Sequence, residues 1–311
     1  MLVPNLRPKV VPHGPRLLPG LIVRTRGRLV AGTPSLLCSQ EEARSSGPAL
    51  RPRAHHPGFS AAQWPRFRSE RDFWRFASAH LRPYFPNLCT QSQLNRRVRA
   101  VERELRALQR AFAREIVEPS AVYRVLDTTL VPAVVRVRAS RKGLFCGQAS
   151  FGRSASKTEW VYGFKVALVV DPKGVVSAFF LAAASSDERP IGEALIAEDR
   201  HETYLADKGF TGVEWERRWL EDYGALVAAT PKNNSRRAWS EEDRRWASGK
   251  RQIIEGVICQ LKAFFGLERH RAKTLGGLLT RLAAKVAAYT CGQRINDCLG
   301  RPPRHLAELF I

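Results

Sequence analysis

The sequence has no long apolar run and no cysteine pattern typical of a zinc module. No apolar stretch approaches the roughly 18 residues that a membrane span needs, and residues 17–23 are too short, and too closely followed by arginines, for a signal peptide. The six cysteines are scattered, without a CxxC motif or a Cys/His spacing suited to zinc. These absences predict reduced thiols and a cytoplasmic protein.

Acidic residues are scarce relative to basic ones. In 311 residues, 51 Lys and Arg stand against 29 Asp and Glu, which gives a formal net charge of +22. A charge of this size opposes compaction by self-repulsion and therefore favours a polyanionic partner. Nucleic acid is the leading candidate, because each neutralised phosphate releases a counterion. The alternative is an arginine-rich composition that only reflects the base bias of the genome.

Residues 1–68 differ in composition from the rest of the chain. They contain ten of the 19 prolines, and eleven Lys and Arg against two acids. Proline at this density interrupts regular structure, and the segment has no apolar face to bury. We therefore expect residues 1–68 to form a disordered basic segment.

Residues 69–118 are predicted to be a helical region that contacts DNA. Capping patterns at Ser69 and Thr90 begin two helices, and apolar residues then recur at steps of four and three over 94–112. This periodicity predicts one long amphipathic helix, whose basic face suits a DNA backbone; a merely solvated face is the alternative. The basic face, opposite the apolar one, carries Arg96, Arg97, Arg99, Arg103, Arg106 and Arg110.

From about residue 119 the pattern alternates between strands and helices. The order β-β-β-α-β-α-β-α is that of an α/β domain with a mixed sheet flanked by helices, as in RNase H-like folds. We assign residues 119–296 to this domain and residues 297–311 to a C-terminal tail. The predicted strands are 121–130, 160–170, 175–183, 203–206 and 225–230, and the predicted helices are 188–199, 213–223, 241 or 250 to 265, and 275–294.

Three carboxylates stand where this topology brings them together. Asp127 lies at the end of the first strand, Asp207 just after the fourth, and Glu255 on a late helix. The first and fourth strands are neighbours in an RNase H-like sheet. An all-oxygen set without His or Cys favours Mg²⁺ or Mn²⁺ over zinc. Two such ions can stabilise the attacking and leaving oxygens when a phosphodiester is cleaved.

The helix that carries Glu255 also carries two cations on the same face. Arg251 precedes Glu255 by four residues and Lys262 follows it by seven, and at 3.6 residues per turn these three side chains align. A carboxylate flanked by cations suits a phosphate strand. An ordinary surface ion pair between Arg251 and Glu255 is the alternative.

The sequence around these acids resembles the DDE domain of bacterial insertion-sequence transposases, in the group sometimes called IS-four-like. Residues 121–296 carry the resemblance, and the region before them is also similar to some members. One position departs from the group's signature, because Ser248 stands where a tyrosine is usual. The matching segments are Leu126-Asp-Thr, Tyr162-Gly-Phe-Lys165, Ala206-Asp-Lys-Gly-Phe210, Thr230-Pro and Arg251-x3-Glu255-x6-Lys262.

The resemblance implies roles for individual residues. Asp127, Asp207 and Glu255 would hold two Mg²⁺ or Mn²⁺ ions. Arg251 and Lys262 would hold DNA phosphates, with Lys165 and Lys208 as weaker candidates that could equally be snorkelling lysines. The partners would be double-stranded DNA, as transposon inverted-repeat ends and target, and a second copy of the chain in a homodimer. A nucleoid-associated enzyme is implied.

Several alternatives stay open from the sequence. Asp187 is either a supporting acid or the cap of the next helix. Trp239 and Trp246 could stack on unpaired bases, whereas Trp215 and Trp219 are interpreted as core. At the level of function, the alternatives are a metal-dependent nuclease without strand transfer, a catalytically silent DNA-binding remnant, and a basic RNA-binding protein, although no RRM or KH signature is present.

Overall fold

The computed structural model describes residues 62–83, 85–134, 143–154, 159–231 and 239–309. The predictions for residues 1–61, and for the basic stretch 232–238, lie outside these residues. Residues 62–68, expected to be disordered, form turns: Ala62 is buried, and the ring of Phe67 lies edge-on against Phe73 at 5.2 Å. Ordered structure therefore begins before Ser69.

Seven α-helices and six β-strands make up the described part of the chain. The helices are α1 (Glu70–His80), α2 (Gln91–Val98), α3 (Glu102–Ile116), α4 (Glu188–Asp199), α5 (Val213–Tyr223), α6 (Glu241–Ala263) and α7 (Leu275–Cys298), and the strands are β1 (Arg124–Pro132), β2 (Ser150–Ser154), β3 (Glu159–Val170), β4 (Val176–Ala183), β5 (Thr203–Ala206) and β6 (Leu226–Ala229). Short 3₁₀ helices span Lys208–Phe210 and Leu306–Leu309.

The prediction of one long amphipathic helix over 90–112 is wrong, because this region forms two helices, α2 and α3. Thr90 and Gln93 form the expected capping box at the start of α2. Tight turn bonds then interrupt the helix after Val98, and the carbonyl of Arg99 accepts a 3.5 Å hydrogen bond from Thr280 of α7. No proline or glycine lies at this break, and the apolar residues keep their helical spacing across it, so the sequence pattern predicts a continuous helix.

The sheet is mixed, as predicted. Its strands follow the order β2-β3-β1-β5-β6, and β4, which is outside this order, also pairs with β3. β1 runs antiparallel to β3 and parallel to β5, which is itself parallel to β6. The predicted adjacency of the first and fourth strands is thus confirmed, whereas β2 was not predicted. The six-stranded sheet with flanking helices is consistent with an RNase H-like domain.

Alternation along β1 distributes its side chains to the two faces of the sheet. Val125 belongs to the core that α6, α7 and the N-terminal helices complete, and Leu126 to the core under α4 and α5. Because successive side chains point to opposite faces, Asp127 faces α6 and Thr128 faces α4. Asp127 and Thr128 are therefore adjacent in the strand but lie on opposite faces of the sheet, in different surroundings.

Helix α7 lies in the interior, with buried residues on every side. It is nevertheless not apolar throughout, since Lys285 is buried and its Nζ donates a hydrogen bond to the Phe265 carbonyl. Among the described residues, no helix is long and apolar enough to cross a membrane.

We predict that Lys285 makes stability depend on pH in the alkaline range. Burial lowers its pKa from 10.5 to about 8, so above pH 8 the unfolded chain binds more protons than the folded one. The free energy of unfolding therefore gains about 2 kcal/mol from this group as pH rises from 8 towards 10. Urea unfolding at several pH values should show the gain in wild type, relative to Lys285→Met. Parallel pH profiles for the two proteins would contradict it.

Candidate active site

Asp127 and Asp207 come together because their strands are parallel neighbours. Leu126 is in register with Ala206, and each of these two residues is followed by an aspartate. Asp207 follows the end of β5 directly, as predicted. Asp127 was expected at the end of its strand, but β1 continues to Pro132, paired there with β3. The edge at which the acids meet is therefore created by the end of β5.

Arg251 of α6 bridges the two aspartates. Its two terminal nitrogens lie 3.2 Å from Oδ2 of Asp127 and 3.2 Å from Oδ1 of Asp207. The side chains of Arg251 and Asp127 are only 14% and 16% exposed, whereas that of Asp207 is 40% exposed. The Nε of Arg251 is buried without a partner. Among the described residues, the two carboxylates are the polar partners of the arginine at this edge.

The surroundings of Asp127 disfavour an isolated negative charge. The pKa of Asp127 is raised to about 6, mainly by burial; Arg251 and the backbone N–H of Thr128 oppose the rise, and neighbouring Asp207 contributes to it. That N–H donates to Oδ1 at 2.7 Å. Desolvation is the largest cause because little water reaches this carboxyl. Two carboxylates placed like this favour a cation between them, or a proton on one of them.

Glu255 lies one helical turn after Arg251 and is exposed. In the described parts of the chain, no three acid, histidine or cysteine side chains converge closely enough to hold a metal as they stand. Asp127 and Asp207 converge, with the guanidinium of Arg251 between them. Their all-oxygen donors fit a hard divalent cation.

The predicted cationic residues fall into different settings. Lys208 is exposed beside Asp207, and Lys262 forms a 2.8 Å ion pair with Glu268. Lys165 faces inward instead: its Nζ donates to Glu188 and to the Ser186 carbonyl, both at 3.0 Å. Of the predicted DNA contacts near the acids, Lys165, Lys262 and Arg251 therefore all have protein partners, and Lys208 is exposed.

The predicted basic face of the N-terminal helices is only partly available. Arg106 lies on the ring of Phe179 at 4.2 Å and pairs with Glu102, and Arg110 pairs with Glu198 at 3.1 Å. These two arginines therefore contact β4 and α4, respectively. Exposed arginines on this side are Arg96, Arg97, Arg99 and Arg103.

Other predictions on individual residues have clear outcomes. Asp187 is the N-cap of α4, where its side chain accepts a hydrogen bond from the Arg189 N–H. This confirms the interpretation of Asp187 as a helix cap. Trp219 is fully buried, as predicted. Trp246 lies edge-on to Tyr123 at 6.0 Å. Ser248, at the position of the usual tyrosine, is exposed.

One residue near the site was missed. Glu188 accepts hydrogen bonds from Thr128 and Lys165, so it lies beneath the strand that carries Asp127. In the sequence it is only the first residue of a helix, where an acid is ordinarily explained by the helix dipole. No local signal distinguishes it, because its partners come from two other strands.

A comparison with protein families fits this geometry. The model of the transposase DDE domain matches residues 120–275, about half of the chain. The chain belongs to the transposase DDE domain family. The match runs from just before β1 to the start of α7, and it includes all three acids and both helix cations. DDE transposases bind DNA and generally use divalent metal ions. No curated protein matches the chain.

We predict that Arg251→Gln destabilises the metal-free DDE domain. The substitution leaves Asp127 and Asp207 side by side without a cation, which costs roughly 1–2 kcal/mol after allowing for the exposure of Asp207. Urea unfolding without divalent ions measures the loss. Arg245→Gln is the matched control on the same helix, because its ion pair with Glu241 is largely exposed. Equal stability of the two variants would contradict the prediction.

Proposed function

We propose that this chain is an active transposase that cleaves DNA at transposon ends and transfers the freed strand into target DNA. The proposal includes two Mg²⁺ or Mn²⁺ ions held by Asp127, Asp207 and Glu255. The observation that carries it is the convergence of Asp127 and Asp207, from adjacent parallel strands, on a single cation. The insertion-sequence type, and the IS-four-like group of bacterial elements, follow from the motifs around these acids.

The residues divide the chemistry between them. Divalent ions, when bound, stabilise the developing charge on the attacking and leaving oxygens. Asp127 and Asp207 supply fixed carboxylates from the sheet, and Glu255 supplies the third from α6. Water attacks first at the element's end, and the resulting 3′-hydroxyl then attacks the target strand. Both reactions are in-line displacements at phosphorus, so one set of carboxylates serves both.

Positive groups around the acids would guide the DNA. Lys208 borders Asp207, and Lys262 lies two turns beyond Glu255 on α6. Arg251 would exchange its carboxylate partners for DNA phosphate when metal neutralises the aspartates, because an arginine fork binds either group. The arginines of α2 extend the basic surface. Two copies of the chain would act together, one at each transposon end.

We expect each of three substitutions, Asp127→Asn, Asp207→Asn and Glu255→Gln, to lower strand cleavage at least 100-fold. Each removes a carboxylate from the metal site while keeping the shape of the side chain. Cleavage and strand transfer are measured on DNA that carries the inverted repeats flanking the gene, with Mg²⁺ and with Mn²⁺. Glu241→Gln, also on α6 and largely exposed, should retain activity.

The outcomes separate the possible functions. Cleavage that survives any of the three substitutions would exclude this site as the catalytic centre. Cleavage without strand transfer by wild type would indicate a nuclease. End binding without cleavage, in either metal, would indicate a DNA-binding remnant.

The basic surface of α2 yields a separate prediction. The double substitution Arg96→Gln/Arg97→Gln should weaken DNA binding about equally for specific and unrelated sequences, because phosphate contacts carry no base information. The slope of log affinity against log salt concentration is negative, and it should become shallower by roughly 2, since two phosphate contacts are lost. Fluorescence anisotropy over a range of salt concentrations measures it. Arg217→Gln/Arg218→Gln on α5 is the control, and an unchanged slope in the α2 variant would exclude this surface.

A further inference from the structure

Glu188 connects three segments that surround the two aspartates. It is the first residue of α4, and its side chain is only 21% exposed. Its Oε1 accepts from Thr128 Oγ1 at 2.8 Å and from Lys165 Nζ at 3.0 Å. Thr128 directly follows Asp127 on β1. The carboxylate is therefore fixed from below the strand that carries the first aspartate.

The other oxygen of Glu188 lies against the turn that follows the second aspartate. A Cβ added at Gly209 would overlap Oε2 of Glu188, so the carboxylate touches the backbone two residues after Asp207. Gly209 has no left-handed backbone angle that would itself require glycine. The absence of a side chain there serves to admit the Glu188 carboxylate.

We infer that Glu188 is a positioning residue, which holds β1 and the turn 208–210 so that Asp127 and Asp207 face one metal. It acts from the opposite side of the sheet, since Thr128 and Asp127 point to different faces. Lys165 neutralises its charge, and this explains why Lys165 points inward. Both donors to Oε1 are protein groups, so Glu188 supports the ligands and does not bind the metal itself. The inference rests on the proposed metal site.

The test measures Mn²⁺ affinity without DNA, by electron paramagnetic resonance or calorimetry. Glu188→Ala removes the carboxylate, and Gly209→Ala displaces it by adding one methyl group. Each should weaken Mn²⁺ binding about tenfold, the usual effect of losing a group that orients a ligand. The double variant should be no weaker than Glu188→Ala alone, because both changes act through the same carboxylate.

Two further variants distinguish positioning from a general loss of structure. Glu188→Gln keeps an acceptor for Thr128 and should recover most of the affinity. Gly212→Ala is the matched control, because a Cβ there would make only ordinary contacts of 3.4 Å or more, and it should bind Mn²⁺ like wild type. Urea unfolding of every variant shows whether it folds.

Each outcome decides the question. Folded Glu188→Ala and Gly209→Ala proteins with wild-type Mn²⁺ affinity would overturn the inference and leave the metal site intact. Additive losses in the double variant would also overturn it, since Gly209 would then act by another route. If wild type binds no Mn²⁺, or if Asp127→Asn binds it equally well, the proposed function fails first, and the inference fails with it.

Discussion

The pairing of one arginine with two aspartates is the interaction around which this domain is organised. Arg251 comes from α6, and its partners lie 44 and 124 residues earlier in the chain. The contact therefore joins three separate elements: the end of β5, the middle of β1 and helix α6. Apolar burial of Ile254 and Val257 sets the helix on the sheet, and the ion pairs fix which turn of it meets the acids.

The two faces of the sheet have complementary charge arrangements at this edge. On the α6 side, two carboxylates share one cation, and on the α4 side the Lys165 ammonium meets the Glu188 carboxylate. The alternating direction of side chains on β1 produces this division. The N-terminal helices share the apolar core of α6 and α7, with Phe73, Leu94 and Leu105 in one cluster with Leu282. The exposed arginines of α2 are therefore carried on the same core as the acids.

Local sequence patterns were sufficient for much of this fold. α4, β5 and α5 have the predicted bounds, because an aspartate cap at Asp187 and a left-handed glycine at Gly224 punctuate them. The placement of Asp207 after β5 followed from the same punctuation. Parallel pairing of the first and fourth predicted strands followed from element order, since this order restricts the topology. These features depend on residues close together in the chain.

The sequence by itself determined most of the elements, their order and the placement of Asp127 and Asp207 on neighbouring strands, whereas the tertiary structure decided what each charged group contacts. Arg251, which the resemblance assigns to DNA phosphate, bridges two aspartates in this structure. Lys165, interpreted either as a DNA contact or as a snorkelling lysine, pairs with Glu188, which no pattern singled out. The break between α2 and α3 and the short strand β2 were likewise set by partners elsewhere in the fold. Periodicity and capping act within a few residues, but an ion pair forms wherever packing brings opposite charges together, whatever their separation along the chain.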